Sequence, residues 1–169
     1  MKPFGDRKGL DVLDFGCGPG RDIAYFKSIG HNPVGLDGTR EFCEMAREMT
    51  KQPVLQQTFN NLELEENSFD GVFANASMFH VPSENLHKVL TDLHRALRPN
   101  GVLLMPNPRG DEEGCATPER YGNFMQIDKS LEYLEKAGYR ILDHYYRPPG
   151  LPRKEQNWLA IVSIAIKDN

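Results

Sequence analysis

Cysteine is scarce in this sequence. Cys17, Cys43 and Cys115 are its three cysteines, an odd count with no metal-type spacing, which fits a reducing, cytoplasmic setting. Long apolar runs are missing as well. No stretch approaches the roughly 18 residues of a spanning helix, and the opening MKPFGDRKG lacks the apolar core of a secretory signal. Neither sign of charge dominates: 20 Lys and Arg face 24 Asp and Glu, for a net charge of −4. That leaves no basic footprint for nucleic acid or an anionic membrane. There is no internal repeat and no low-complexity segment. The phosphate loop ending G-K-[ST] and the G-x-S-x-G elbow of hydrolases are both absent. What is present, 39% hydrophobic and 26% charged residues in a chain of 169, suits one soluble globular domain with one substantial core.

Apolar patterning alternates between strand and helix. LDVLDF (10–15) reads as a buried strand that runs into a glycine turn. Ile23, Phe26 and Ile29 then recur at helical spacing over about 22–29, and Gly30 suits the stop. PVGLD (33–37) is a second strand. Thr39 can cap the next helix, where Phe42, Met45, Ala46 and Met49 fall at i, i+3, i+4 and i+7. PVLQQTF (53–59) and FDGVFAN (69–75) read as strands three and four. Ser83 caps a helix striped by Leu86, Val89, Leu90, Leu93, Ala96 and Leu97, which RPNG (98–101) ends before strand five, VLLMP (102–106). Asp128 opens a last helix with Leu131, Leu134 and Ala137. YRILDHYY (139–146) and WLAIVSIAI (158–166) lie too close for a helical crossover and read as an antiparallel hairpin. The expectation is an α/β fold, a mostly parallel sheet of seven strands with a C-terminal antiparallel hairpin strand.

The stretch DFGCGPGRD (14–22) asks for a ligand. A strand ending in glycines that open a helix leaves free N–H groups beside a surface without Cβ atoms, so a flat or extended molecule can lie against it. The dinucleotide fingerprint G-x-G-x-x-G is met at Gly16 and Gly18, but its third position falls on Arg21, where helix-on-strand packing wants a small residue. The spacing that remains is D-x-G-x-G-x-G, made by Asp14, Gly16, Gly18 and Gly20, followed by Asp37 at the end of strand two.

That pattern resembles the first motifs of class I S-adenosylmethionine-dependent methyltransferases. VGLDGTREFCEMAR looks like the family's second-strand segment, NSFDGVFANASMFHVP like its fourth strand and loop, and HRALRPNGVLLM like its fifth-strand entry. The resemblance runs in the family's order over about residues 10–106, and the tail HYYRPPGLPRKEQNWLAIV looks like small bacterial members. It implies a Rossmann-like doubly wound sheet and S-adenosylmethionine as cofactor, with S-adenosylhomocysteine as product. Carried over residue by residue, Gly16, Cys17, Gly18 and Gly20 would form the loop under the methionine moiety and ribose, with Asp14 orienting it and reaching the ligand's ammonium. Asp37 would accept hydrogen bonds from both ribose hydroxyls. Gly38 and Thr39 would line the adenine edge, with Thr58 and Phe59 where the family often has an Asp. Asn75 would face the sulfonium. Arg21 would contact the methionine carboxylate or simply pair with Asp22. One or two helices usually precede strand one in the family. Nine residues stand there in this chain, which raises a homodimer covering that side.

His80, after NASMF, stands where the methyl acceptor is expected. It would be a general base or a histidine bonded to a loop carbonyl. Cys17 has no adjacent base and reads as a small filler. His87 and His94 are seven apart and read as surface residues. The connection 106–127 is long for a structureless loop and leaves strand five at the carboxyl edge of the sheet. It reads as a lid of a single 1–169 domain, with Arg109, Arg120 and Tyr121, joined by Tyr146, contacting the acceptor. NASM where N-P-P-Y would stand argues against nucleobase or glutamine amino groups, and a small molecule is the expected acceptor. The expected reaction is direct in-line methyl transfer, which needs no metal. The rivals are a binding-only S-adenosylmethionine module or subunit and a nicotinamide-dependent oxidoreductase on the same fold.

Overall fold

The structure is a computed structural model that describes residues 7–117 and 120–167. Seven strands form one sheet: β1 (Asp11–Phe15), β2 (Asn32–Asp37), β3 (Val54–Gln56), β4 (Phe69–Phe73), β5 (Leu97–Pro108), β8 (Tyr139–Arg147) and β9 (Trp158–Ala165). Their order is β3-β2-β1-β4-β5-β9-β8. The first five run parallel, while β9 is antiparallel to both β5 and β8. The order reverses between β1 and β4, so the loops after those strands flank the crevice where open α/β sheets bind ligands. The α/β, doubly wound expectation holds.

Both faces of the central strands are covered, which is why those strands read as continuous apolar runs rather than alternating ones. On β1, Val12 packs with Phe26 of α1 (Arg21–Ser28), while Leu13 and Phe15 join the larger core with α3 (Ser83–Ala96) and α4 (Ile127–Lys136). β5 divides likewise, Val102 and Leu104 to one face, Leu103 and Met105 to the other. Among the described residues no helix is long and apolar enough to cross a membrane.

Several expectations need correction. Helix α2 (Arg40–Thr50) buries Cys43 and Ala46, whereas Phe42, Met45 and Met49 are exposed. The reason is Gly20: a Cβ there would stand 3.0 Å from Ala46 Cβ, so α2 packs too close for a methionine to point inward. Thr39 sits at the α2 N-cap without a side-chain capping bond. Its N–H instead donates to Asp37 Oδ1 at 2.8 Å. Ser83 is the first helical residue of α3 behind Pro82, and its N–H is capped from afar by Glu113 Oε1 at 2.8 Å. An acid at a helix N-terminus meets the positive end of the dipole. His94 is half-buried, with Nε2 3.0 Å from Ile166 O. Strand three is shorter than read, and β5 is longer: Leu97 already pairs with Phe69, and a bulge precedes the pairing of Gly71 with Val102. The 106–127 connection is not structureless. β5 runs on to Pro108, and β6 (Glu113–Thr117) pairs with β7 (Arg120–Asn123) as a separate antiparallel hairpin.

Candidate functional site

The loop after β1 is shaped by its own backbone. Gly16 and Cys17 both donate to Leu36 O, at 2.8 and 2.9 Å, and Gly20 N–H donates to Cys17 O at 3.1 Å. Gly16, Gly18 and Gly20 all have positive φ, at 79°, 52° and 98°, where an L side chain is strained. Their surroundings differ. A Cβ on Gly16 would lie 2.5 Å from Ser77 Cβ, and one on Gly20 would meet Ala46 and Thr50, but nothing stands within 4 Å of Gly18. The first and third glycines are therefore demanded by packing inside the protein. Only the middle one opens outward.

Asp14, at the end of β1, is 2% exposed, and its Oδ2 is enclosed without a hydrogen-bond partner. The same carboxyl accepts from the Ile23 N–H. Burial, reinforced by the Asp22 charge, pushes it up to about 8. The Arg21 charge opposes that shift but does not cancel it. Cys17 lies underneath the loop, and burial pushes its thiol up to about 12, so it stays protonated as the filler expected from the sequence.

Asp37 closes the opposite side. Oδ2 accepts the Gly18 N–H at 2.9 Å and Oδ1 accepts that of Thr39, so one carboxylate ties the loop to the start of α2. Each oxygen keeps lone-pair capacity for a further donor. A Cβ on Gly38 would lie 3.7 Å from Thr58 Cγ2, which places Gly38 and Thr58 side by side. Phe59 turns its ring onto Phe15, centroids 4.9 Å apart, and packs against the core. Across the loop, Asn75 Nδ2 donates to Asp22 Oδ2 at 3.1 Å, and Arg21 makes a forked pair with Asp22, both bonds 3.2 Å. Asp37 thus touches the open Gly18 position directly, Thr58 borders Gly38 next to it, and Asn75 and Arg21 meet at Asp22. Carboxylates beside an open backbone position can hold a ligand that carries hydrogen-bond donors or a positive charge.

A family model described as a methyltransferase domain matches residues 13–105. The chain belongs to this methyltransferase family. A sterol 24-C-methyltransferase of Aspergillus fumigatus is 26% identical over 173 residues, covering 88% of this chain and 45% of its own length. A malonyl-[acyl-carrier protein] O-methyltransferase of Pectobacterium atrosepticum is 34% identical over 96 residues, 56% of this chain and 37% of its own. The chain spans about half the length of the curated relatives it matches. Among solved structures, an S-adenosylmethionine-dependent methyltransferase from Mesorhizobium loti superposes with a TM-score of 0.81 at 17% identity, over 96% of this chain and 94% of that one. The 1,6-didemethyltoxoflavin-N1-methyltransferase of Burkholderia thailandensis, solved with 1,6-didemethyltoxoflavin and S-adenosylhomocysteine bound, gives 0.77 at 23% identity, over 95% and 72%. At such identities these likenesses establish the fold.

In this methyltransferase domain the far side of the crevice is built from distant segments. Ser77, packed against Gly16, sets a 3₁₀ turn, Met78–His80, beside the glycine loop. His80 is exposed, stacks on Phe79 with centroids 3.9 Å apart, and has Nδ1 3.1 Å from Tyr121 O. A carbonyl only accepts, so Nδ1 carries the proton and a neutral ring leaves Nε2 as the acceptor. The Tyr121 hydroxyl donates to Glu113 Oε1. The Ser83 N–H and then this hydroxyl hold the Glu113 carboxyl below its ordinary range. Burial and that carboxylate push the Tyr121 phenol upward.

Arg109 acts as a brace. Three of its donors reach Gln156 O at 2.7 Å, Gln126 Oε1 at 2.8 Å and Arg153 O at 2.6 Å. The Arg109 and Arg153 guanidinium groups lie over the Tyr146 ring, 5.4 and 3.2 Å from its centroid. The Arg120 side chain lies outside the described residues. Reading the sequence missed Ser77, for which it carries no signal.

Proposed function

We propose that this domain binds S-adenosylmethionine over the 14–20 loop and directs its methyl group to a small-molecule acceptor, leaving S-adenosylhomocysteine. When bound, that molecule supplies an electrophilic methyl group on a sulfonium. The observation that carries the reading is the pair of acids around Gly18: Asp14 with an enclosed, unpartnered oxygen, and Asp37 with both oxygens turned to the loop and to α2. Asp14 would hold the ammonium and Asp37 the ribose hydroxyls. Gly38, Thr39, Thr58 and Phe59 would border the adenine. Gly16, Cys17 and Gly20 keep the loop in shape, and Arg21 and Asn75 meet at Asp22 beside it.

On the acceptor side, His80 Nε2 is available to take the proton that a hydroxyl, thiol or amine sheds on methylation. Arg109 and Tyr146 would frame the acceptor mouth, with Arg120 and Tyr121 on the hairpin as its lid. Holding the acceptor in line supplies most of the rate, since orientation alone is worth effective molarities of roughly 10⁵–10⁸ M.

Parallel calorimetric titrations with S-adenosylmethionine, S-adenosylhomocysteine and NAD test this. The first two should bind and NAD should not. Asp37→Ala should weaken the first two at least about tenfold, the loss of one charge-assisted bond pair. Binding of NAD alone would overturn the reading, and cofactor binding with no acceptor turnover would favour a binding-only module.

A further inference from the structure

Between the 3₁₀ turn, β7, α4 and the outer ends of β5 and β9 lies a cleft outside the glycine loop. Its cavity is small, about 20 Å³, and about 300 Å³ when the open space at its mouth is counted. Met78, Phe79, Met105 and Met125 give it an apolar, flexible wall, since methionine is unbranched and repacks readily. Phe79 adjoins His80 in the 3₁₀ turn, its ring lies 5.7 Å from that of Phe124, and Asn123 of the hairpin lines the cleft.

Three polar side chains also line it, Asn107, Asn123 and Ser130. Ser130 Oγ donates to Gln126 O, and Asn107 Oδ1 accepts the Phe79 N–H. Asn123 is different. It is 1% exposed, and its Nδ2 donates to Val81 O at 3.1 Å, which fixes the amide orientation because an oxygen there would face another oxygen. Oδ1 is left enclosed with no partner. A buried acceptor without a donor is costly and rare enough to require a cause.

We propose that this cleft is the acceptor pocket and that Asn123 is a specificity-determining residue, its Oδ1 reserved for an O–H or N–H donor on a compact acceptor with an apolar, flat body. The proposal rests on the methyl-transfer reading. Access requires the methionine side chains to move, and the donor that arrives removes the penalty on Oδ1. An acceptor of the same shape without that donor would leave the oxygen unpaired, and this asymmetry is what gives such sites their selectivity.

The test uses phenol and toluene as isosteric probes, titrated with and without S-adenosylhomocysteine and read by NMR of ¹³C-methyl methionine. Phenol should shift the methyl signals of Met78, Met105 and Met125 and also the Asn123 side-chain amide, while toluene should leave that amide unmoved. Asn123→Leu should lower the ratio of toluene to phenol dissociation constants about tenfold, one hydrogen bond's worth. The amide readout stands on the wild-type protein even where the variant does not fold. No shift at these methionines, an amide indifferent to phenol, or an unchanged ratio in Asn123→Leu would overturn the proposal. Failure of S-adenosylhomocysteine to bind would instead strike the methyl-transfer reading, and the cleft would still be judged by the titration without it.

Discussion

The two sides of the crevice are built differently. Around Gly18 the site is made of backbone: a strand end, three left-handed glycines, and one carboxylate that accepts N–H groups from two turns. Around His80 it is made of side chains from segments far apart in sequence. Tyr121 O lies 41 residues from His80, Glu113 is 30 from Ser83, and Gln156 is 47 from Arg109. A backbone-made site can serve one unvarying ligand, because its geometry survives most substitutions. A side-chain-made site can be retuned by changing a few residues on the hairpin.

The contrast can be broken by mutation. The largest effect is expected on the acceptor side, where His80→Ala should slow methyl transfer roughly 10²-fold or more while S-adenosylhomocysteine affinity is unchanged. The turnover of an acceptor returned by a screen of small hydroxyl, thiol and amine compounds measures this, and an undiminished rate would remove the histidine from the chemistry. On the backbone side the same scale of damage falls on folding instead. Gly16→Ala drives a Cβ to 2.5 Å from Ser77 Cβ at φ 79° and should cost about 2–4 kcal/mol in urea unfolding. Gly18→Ala, in open space at φ 52°, should cost only about 1 kcal/mol, yet weaken S-adenosylhomocysteine binding more than its stability loss accounts for. If the two alanine variants were equally unstable, the division between packing glycines and a ligand-facing glycine would fail.

That difference also explains what could be read in advance. The strand, the glycine spacing and the acid closing β2 are local features, and Asp14, Gly18 and Asp37 could be marked from them because the chain itself places them together. On α2, Cys43 with Ala46 and Phe42 with Met45 and Met49 make two stripes at helical spacing. Periodicity cannot choose between them. The close approach of Gly20 to Ala46 does, and that contact is tertiary. The hairpin β6–β7 carries no apolar alternation, so GDEEGCATPERYGN looks like loop until its backbone pairing is seen. Asn123 gives no sign in the sequence, for an asparagine matters here only through the donor its oxygen lacks.

Under the proposed function, Asp14 awaits the ammonium of an S-adenosyl ligand. Its folded carboxyl is raised from 3.8 to about 8, so the free protein holds that proton at neutral pH. Pairing with a cation favours the ionised form, so binding should release a proton below about pH 8. The measurement is a calorimetric titration with S-adenosylhomocysteine at pH 6, 7 and 8, repeated in buffers of different ionisation enthalpy. Affinity should rise with pH by up to about tenfold per unit, with close to one proton released at pH 7, and Asp14→Asn should abolish both. Tight binding with no proton released and no pH dependence would contradict the claim.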